Sequence, residues 1–307
     1  MIVSSASIGA DWFLNGISNL QRQEVKTQRE LSSGFQIQDA SDSPSQTPAL
    51  IDLGSSLASL QSYQTNLGRV QAETGTADTA LGTSITLLDN ARTLAVQGAS
   101  STATAGTRQN LALQVQSIQQ QFVSLANTTV EGRYIFGGDQ DQSPPYRLNP
   151  ASATGVDKLT PQTSTRTIED VNGAPVYQSS TAATIFDHTD PTGAPAPDNA
   201  FAGLQQLQAA LQANDGPGIA GALTSLEGVS SWLNLQQATY GTAERTLTQE
   251  QNNTASQITN VQVQIAGIRD TNVAQAATDL SQENASQSAA VESQAQIPTK
   301  SLFDYLA

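Results

Sequence analysis

Between Leu50 and Ala95 one seam recurs without a break. Leu50, Leu53, Leu57, Leu60, Gln64, Leu67, Gln71, Thr74, Asp78, Leu81, Ile85, Leu88, Arg92 and Ala95 alternate steps of three and four. That is the heptad of a long helix packed along its length, and a strand, whose side chains alternate every two residues, cannot carry it. Thr47 and Pro48 supply a start, with a hydroxyl N-cap followed by proline at the first helical position. The run GASSTATAG, 98–106, supplies an end. A helix over 48–97 is about 75 Å long at ~1.5 Å per residue, which suits a rod-like bundle better than a compact globule.

The remaining helices follow from the same period. Leu111, Val115, Ile118, Phe122 and Leu125 mark a second helix, turned antiparallel to the first by the short loop. Asp198 or Asn199 caps a third, with Phe201, Leu204, Leu207 and Leu211 on one face. Asn214-Asp215-Gly216-Pro217 ends it and starts a very long last helix. Leu247, Thr254, Ile258, Val261, Ile265 and Ile268 hold its seam. Val273, Ala276 and Leu280 continue the seam after a phase slip, read as a stutter. At the N-terminus Phe13, Ile17, Leu20, Glu24, Thr27 and Leu31 form a seam with two polar positions. The segment 272–296 is amphipathic but rich in Ala, Ser and Gln. Neither end forms a stable helix alone, so each needs a partner, the first candidate being the other end.

The backbone rules change at EGRYIFGGDQDQSPPY, 131–146. The pair Gly137-Gly138 allows conformations barred to other residues, and Pro144-Pro145 bars a return to helix. Beyond it, β-formers come in short runs at 134–136, 165–168, 176–178 and 184–186, with Asn172-Gly173 as a hairpin turn signal. A Pro/Gly-rich loop closes the region at 187–198. The expected fold is mainly α: an elongated antiparallel bundle of long helices with paired terminal helices and a small β-rich insertion. Its segments are an N-terminal helix and connector, 1–46; the bundle's first part, 47–130; the insertion, 131–198; the bundle's second part, 199–270; and a terminal helix and tail, 271–307. Leu53, Leu57, Leu60, Leu67, Leu81, Ile85, Leu88, Ile258 and Ile265 are the expected bundle core.

Charge and composition remove several functions. The chain of 307 residues has 27 Asp plus Glu against 13 Lys plus Arg, for a net charge of -14. Its three lysines, Lys26, Lys158 and Lys300, are scattered. No basic stripe exists for a phosphate backbone or an anionic lipid surface, so neither nucleic acid nor membrane is an expected partner. The absence of cysteine removes thiolate chemistry and disulfides together. No signal-peptide pattern opens the chain, and no run reaches the ~18 apolar residues of a membrane span.

No catalytic constellation emerges. His188 is the single histidine. It lies in Asp187-His188-Thr189-Asp190 without a second histidine or a nucleophile turn, and reads as a solvated loop residue. Asp139 and Asp141 lack the ligand spacing of a calcium loop. No enzyme activity, cofactor or metal is expected.

Three stretches carry a family resemblance. Leu31-Ser32-Ser33-Gly34 with Asp39-Ala40-Ser41-Asp42-Ser43-Pro44 resembles the N-terminal signature of bacterial flagellins and their relatives. Gly132-Arg133-Tyr134-Ile135-Phe136-Gly137-Gly138 with Ser143-Pro144-Pro145-Tyr146 resembles the segment leading into the β domain of the hook–filament junction proteins, the third hook-associated proteins. Ile268-Arg269-Asp270-Thr271-Asn272 resembles the start of the flagellin-type terminal helix. Tyr240-Gly241-Thr242-Ala243-Glu244-Arg245 and Ser301-Leu302-Phe303-Asp304-Tyr305-Leu306 are also similar to junction-protein segments. The resemblance spans 1–146 and 200–307. One departure is the polar character of 284–296.

The resemblance implies a structural role outside the cell, after export through the flagellar type III channel without a cleaved signal peptide. The implied partners are the junction protein on the hook side, flagellin, other copies of this chain in a ring, and a cytoplasmic flagellar export chaperone. The implied assembly residues are Phe13, Ile17, Leu20, Leu31, Val273 and Leu280 on the terminal helices and Leu302, Phe303, Tyr305 and Leu306 in the tail. A flagellin is the alternative within the family, and a secreted coiled-coil adhesin the alternative outside it.

Overall fold

The structure, a computed structural model, describes residues 5–295 except 162, 165, 171 and 172, with side chains from residue 11 onward. Seven α-helices and six short strands occur among these residues. The chain divides into two compact units, one formed by Met1–Ser59 with Gln257–Ala307 and one by Leu60–Ser256.

In the mid-chain unit, two long helices, α2 (Thr47–Ala99) and α6 (Gly216–Arg269), run antiparallel. Gln71 Nε2 reaches Thr248 Oγ1 at 3.5 Å, and the Arg92 guanidinium reaches Glu227 at 3.7 Å. Between these pairs, Gly75 faces Glu244 and Gly82 faces Gln237. Leu60, Leu67, Leu81 and Leu88 of the expected seam are buried, while Ile85 is half-buried. A second stripe, unread in the sequence, is buried too: Val70, Ala77, Ala80, Ser84 and Ala91. Alanine gives little hydrophobic signal, but its small side chain lets helices approach from a second direction.

The additional packing comes from α3 (Ala105–Ala126) and α5 (Ala200–Gln212), which lie against each other. Thr104 caps α3 and Asn199 caps α5, each side-chain oxygen accepting a backbone N–H. Arg108 fastens the turns at one end of this bundle. Its Nε donates to the Gly98 carbonyl at 2.7 Å, and its guanidinium also bonds Asn214.

The strand-bearing segment shares that core. Phe136, Tyr146, Val156, Ile185 and Phe186 cluster with Phe122 of α3 and with Phe201 and Leu204 of α5. Phe186 meets Phe136 and Phe122 edge-on, at centroid distances of 5.6 and 6.2 Å. In a chain with 5% aromatic residues, this concentration gives the small strands a core they could not build alone. The strands form three antiparallel pairs: β1 (Thr129–Val130) with β2 (Arg133–Tyr134), β3 (Tyr146–Leu148) with β4 (Val156–Lys158), and β5 (Thr167–Glu169) with β6 (Pro175–Gln178).

Several sequence expectations are corrected here. The turn after α3 is made by Glu131 and Gly132, both at positive φ (51° and 77°), as a two-residue hairpin requires. Of the pair Gly137-Gly138, Gly138 takes φ 60° as expected, whereas Gly137 has φ -77° and precedes a short 3-10 helix, Gly138–Gln140. The run 184–186 is helical, not extended, within α4 (Ala182–Phe186). Thr181 caps it by accepting the Thr184 N–H, and burial of Ile185 and Phe186 overrides their β-propensity. β3 and β4 gave no readable run. The β5–β6 hairpin turns through Gly173 at φ 83°. Asn172 lies outside the described residues.

The other unit holds the helix α1 (Ser5–Ser33), the start of α2, the end of α6, and α7 (Val273–Ala295). α1 packs against α7. The stutter expected near residue 270 is a true break. Asp270 leaves the helix to form an antiparallel bridge with Phe35, and α7 restarts with Asn272 accepting the Gln275 N–H at 3.2 Å. Thr47 does not cap α2 either. Its hydroxyl donates back to the Ser43 and Ala40 carbonyls, because the turn 43–47 already leads into the helix.

Candidate assembly surface

The unit that contains both chain ends is built around a junction. Leu31-Ser32-Ser33 closes α1, and Gly34 takes φ 78° while its N–H donates to the Glu30 carbonyl at 2.8 Å. This is a left-handed helix stop, as Gly34 predicts. The chain leaves Gly34 as a short extended segment. The Gln36 N–H donates to the Arg269 carbonyl at 2.8 Å, and the Thr271 N–H donates to the Gly34 carbonyl at 2.8 Å. The Gln36 side chain also donates to the Ile268 carbonyl. These bonds satisfy the orphaned carbonyls at the end of α6. The Arg269 guanidinium lies 4.0 Å over the Phe35 ring, a cation–π contact. Two stretches more than two hundred residues apart thus close on each other.

The connector has its own clamp. Asp42 Oδ2 accepts the backbone N–H groups of Gln38 and Asp39, both at 3.0 Å. Those N–H groups, Asp39's first, hold the Asp42 carboxyl below its ordinary value, and Arg29 adds to this. Arg29 of α1 reaches Asp42 at 3.1 Å and Asp39 at 3.7 Å. The acidic run in DASDSP therefore serves the backbone geometry of the turn.

The helix pair buries little of its apolar surface. Phe13, Ile17, Leu20, Leu31 and Leu280 are half-buried, and Val273 is exposed. Thr27 and Ala276 are buried. Trp12 is 79% exposed, and Leu14, Val25 and Val291 are also open. Leu302, Phe303, Tyr305 and Leu306 lie outside the described residues. At the other side of the junction, Ile258 is buried, whereas Leu53, Leu57 and Ile265 are half-buried. Leu57 and Ile265 line an open groove of about 850 Å³ between the start of α2 and the end of α6.

In the mid-chain unit two polar clusters occur that sequence reasoning missed. Arg166 Nη2 bonds Glu73 Oε2 at 2.9 Å, and its Nη1 bonds Asp141 Oδ2 at 3.1 Å; Arg133 bonds the same oxygen. Burial alone would raise the Asp141 pKa, but hydrogen bonds from Gln142 and Arg133 and both arginine charges take it below its ordinary value. Asp139 accepts the Thr163 hydroxyl. The pair noticed in GGDQDQS is thus engaged with protein groups.

His188 is the second correction. It is not a free loop residue: its Nδ1 lies 2.8 Å from Asp198 Oδ1, and its ring stacks on Trp232 at 4.7 Å. Trp232 Nε1 donates to the Thr184 and Ile185 carbonyls. The histidine ties the 187–198 loop to α6. No signal in the sequence links these positions. Among the described residues no group of three or more His, Cys, Asp or Glu could hold a metal, and no helix is long and apolar enough to cross a membrane.

Comparison with known proteins shows what this geometry is similar to. Residues 8–141 match the bacterial flagellin N-terminal helical region. The matched stretch contains most of α1, the Gly34 stop, the connector clamp, α2, α3 and the first hairpin. Two curated relatives are flagellar hook-associated protein 3 of Escherichia coli (strain K12), 27% identical, and that of Salmonella typhimurium (strain LT2), 28% identical, each over 205 residues. Each alignment covers 65% of this chain and 63% of the relative, so the chain spans under two thirds of the curated relatives it matches. A solved structure described as a flagellar hook-associated protein of Vibrio parahaemolyticus shares the fold. It has a TM-score of 0.63 at 17% identity and covers 75% of this chain and 100% of its own. That likeness is one of fold, mainly α with a small β region.

Proposed function

We propose that this chain is a structural component of the bacterial flagellum that links hook to filament and seeds filament assembly. The observation that carries the reading is the incomplete burial of the terminal helix pair. α1 and α7 join through few buried side chains, and apolar residues from Trp12 to Val291 face outward. A helix pair of this kind is completed by neighbouring copies or related subunits. The likeness to hook-associated protein 3 supports placing those neighbours at the hook–filament junction.

On this reading the chain acts outside the cell, exported by the flagellar type III apparatus. It contacts a second junction protein on the hook side, flagellin on the other, and copies of itself in a ring. An export chaperone holds it before secretion. Phe13, Ile17, Leu20, Leu31, Val273 and Leu280 lie at subunit contacts, and Leu302, Phe303, Tyr305 and Leu306 act in assembly or chaperone capture. No catalytic step is part of the role.

A second reading, filament subunit, is favoured by the flagellin match itself. Deletion of the gene separates the two. Hooks without filaments, with flagellin shed into the medium, support the junction role. Normal filaments in the deletion strain would sink it. Long filaments from the purified chain alone would give the role to flagellin.

A further inference from the structure

The groove between α2 and α6 in the unit of the chain ends opens about 850 Å³. That lies within the ~300–1,000 Å³ typical of ligand sites. Ile37, Leu50, Ile51, Leu57 and Ile265 give it an apolar lining, and Ile51 is 65% exposed. Gly54 sits in the lining with nothing within 4 Å of where its Cβ would be. The absent side chain keeps the groove open. Asp39 lines the groove, and Asp52 lines a smaller opening that shares Ala40, Thr47 and Ile51 with it.

Residues 301–306, Ser-Leu-Phe-Asp-Tyr-Leu, fit this description. Four apolar or aromatic side chains fall within five positions, and Lys300 precedes them. The run carries one cation, Lys300, and one carboxylate, Asp304, and the apolar groove is lined by one of each, Asp39 and Arg269, so opposite charges can pair at its edges.

Reach decides which copy supplies the segment. α7 begins four residues beyond Arg269, itself a lining residue, and continues for 23 residues to Ala295. At ~1.5 Å per residue its end lies about 34 Å from its start. From Ala295 to Leu302 there are seven residues. Fully extended, at ~3.3–3.6 Å each, they span at most about 25 Å. Phe303, one residue further, reaches at most about 29 Å, so Leu302 and Phe303 both stop short of the α7 start that adjoins their own groove.

We infer that the α2–α6 groove is a docking site for the segment 301–306 of a second copy of this chain. The inference rests on the self-association in the proposed function and supplies its contact. Contacts of this kind run from tail to groove between unlike surfaces, so they propagate around a ring rather than closing a pair.

Two measurements test it, both on the full chain. First, a labelled peptide of residues 297–307 is titrated against the wild type, Gly54→Trp and Gly68→Trp. Gly68 is exposed, with nothing near its Cβ position, and lies outside the groove. Both changes replace glycine in a helix, so neither threatens folding. The expected result is binding to wild type and Gly68→Trp, weakened tenfold or more in Gly54→Trp. No binding, or equal binding to all three, would overturn the inference. Second, the chain has no native cysteine, so Gly54→Cys and Ser301→Cys chains can be mixed at assembling concentration and oxidised. Cross-linked pairs of the two chains are expected. An internal disulfide in the dilute double variant would overturn the second-copy assignment. Links from Gly54→Cys to Trp12→Cys alone would give the groove to α1 instead. Peptide binding in a chain that fails to restore filaments would leave the groove standing and remove the junction role.

Discussion

The Thr27 hydroxyl donates to Glu283 Oε1 at 3.1 Å, joining α1 to α7 across 256 residues of sequence. The other carboxylate oxygen, Glu283 Oε2, is buried without a hydrogen-bond partner in the protein. A polar contact inside a weak apolar seam adds little stability, but it disfavours any register that leaves the carboxylate unpaired. Thr27→Val should therefore destabilise the helix pair by about 1–3 kcal/mol, the cost of an unsatisfied buried acceptor. Thr27→Val with Glu283→Leu should recover most of that loss. Amide exchange in α1 and α7 measures both. Greater loss in the double variant than in the single one would refute the account.

Asp42 should make the connector acid-sensitive. Its folded pKa lies below the ordinary value of 3.8 because the Asp39 and Gln38 N–H groups favour the carboxylate. A depressed carboxylate pKa contributes stability that is full above about pH 4 and is lost as pH falls through the folded value. Exchange of the Gln38 and Asp39 amides should accelerate in that window. Asp42→Ala should show fast exchange at all pH values, with no acid step.

Arg166 should be among the more sensitive positions of the mid-chain unit. It neutralises Glu73 and Asp141, both buried, from positions 93 and 25 residues away. Arg166→Met leaves two buried carboxylates without their shared cation. Removing one partner of a buried ion pair costs ~3–5 kcal/mol, and here about 3 is expected because Arg166 is itself 35% exposed. Arg166→Met with Glu73→Gln should restore part of the loss. Thermal unfolding of the three proteins checks the order.

His188→Ala should lower stability without changing assembly. The stacked ring and the bond to Asp198 together account for about 1–2 kcal/mol. The measured outcome is a lower melting temperature with normal filament attachment. Lost attachment at an unchanged melting temperature would make the loop a partner surface.

Much of the helical frame was legible because its cause is local and repeats. Leu60, Leu67, Leu81 and Leu88 recur at the spacing of a helix face, and they are buried. Gly34 and Asn199 stop and start helices through their own backbone and side-chain chemistry. Those properties act within a few residues, so the sequence alone determined them. Tertiary structure decided the rest. Whether 184–186 became strand or helix depended on which conformation buried Ile185 and Phe186 against Phe122 and Phe201. The phase slip near residue 270 became a break because the Thr271 N–H could donate to Gly34. The roles of Arg166 and His188 required Asp141, Glu73, Asp198 and Trp232 to arrive from other elements. A hydrogen bond or ion pair acts over a few ångströms, whereas the residues it joins are tens to hundreds apart in the chain, and only folding brings them into range.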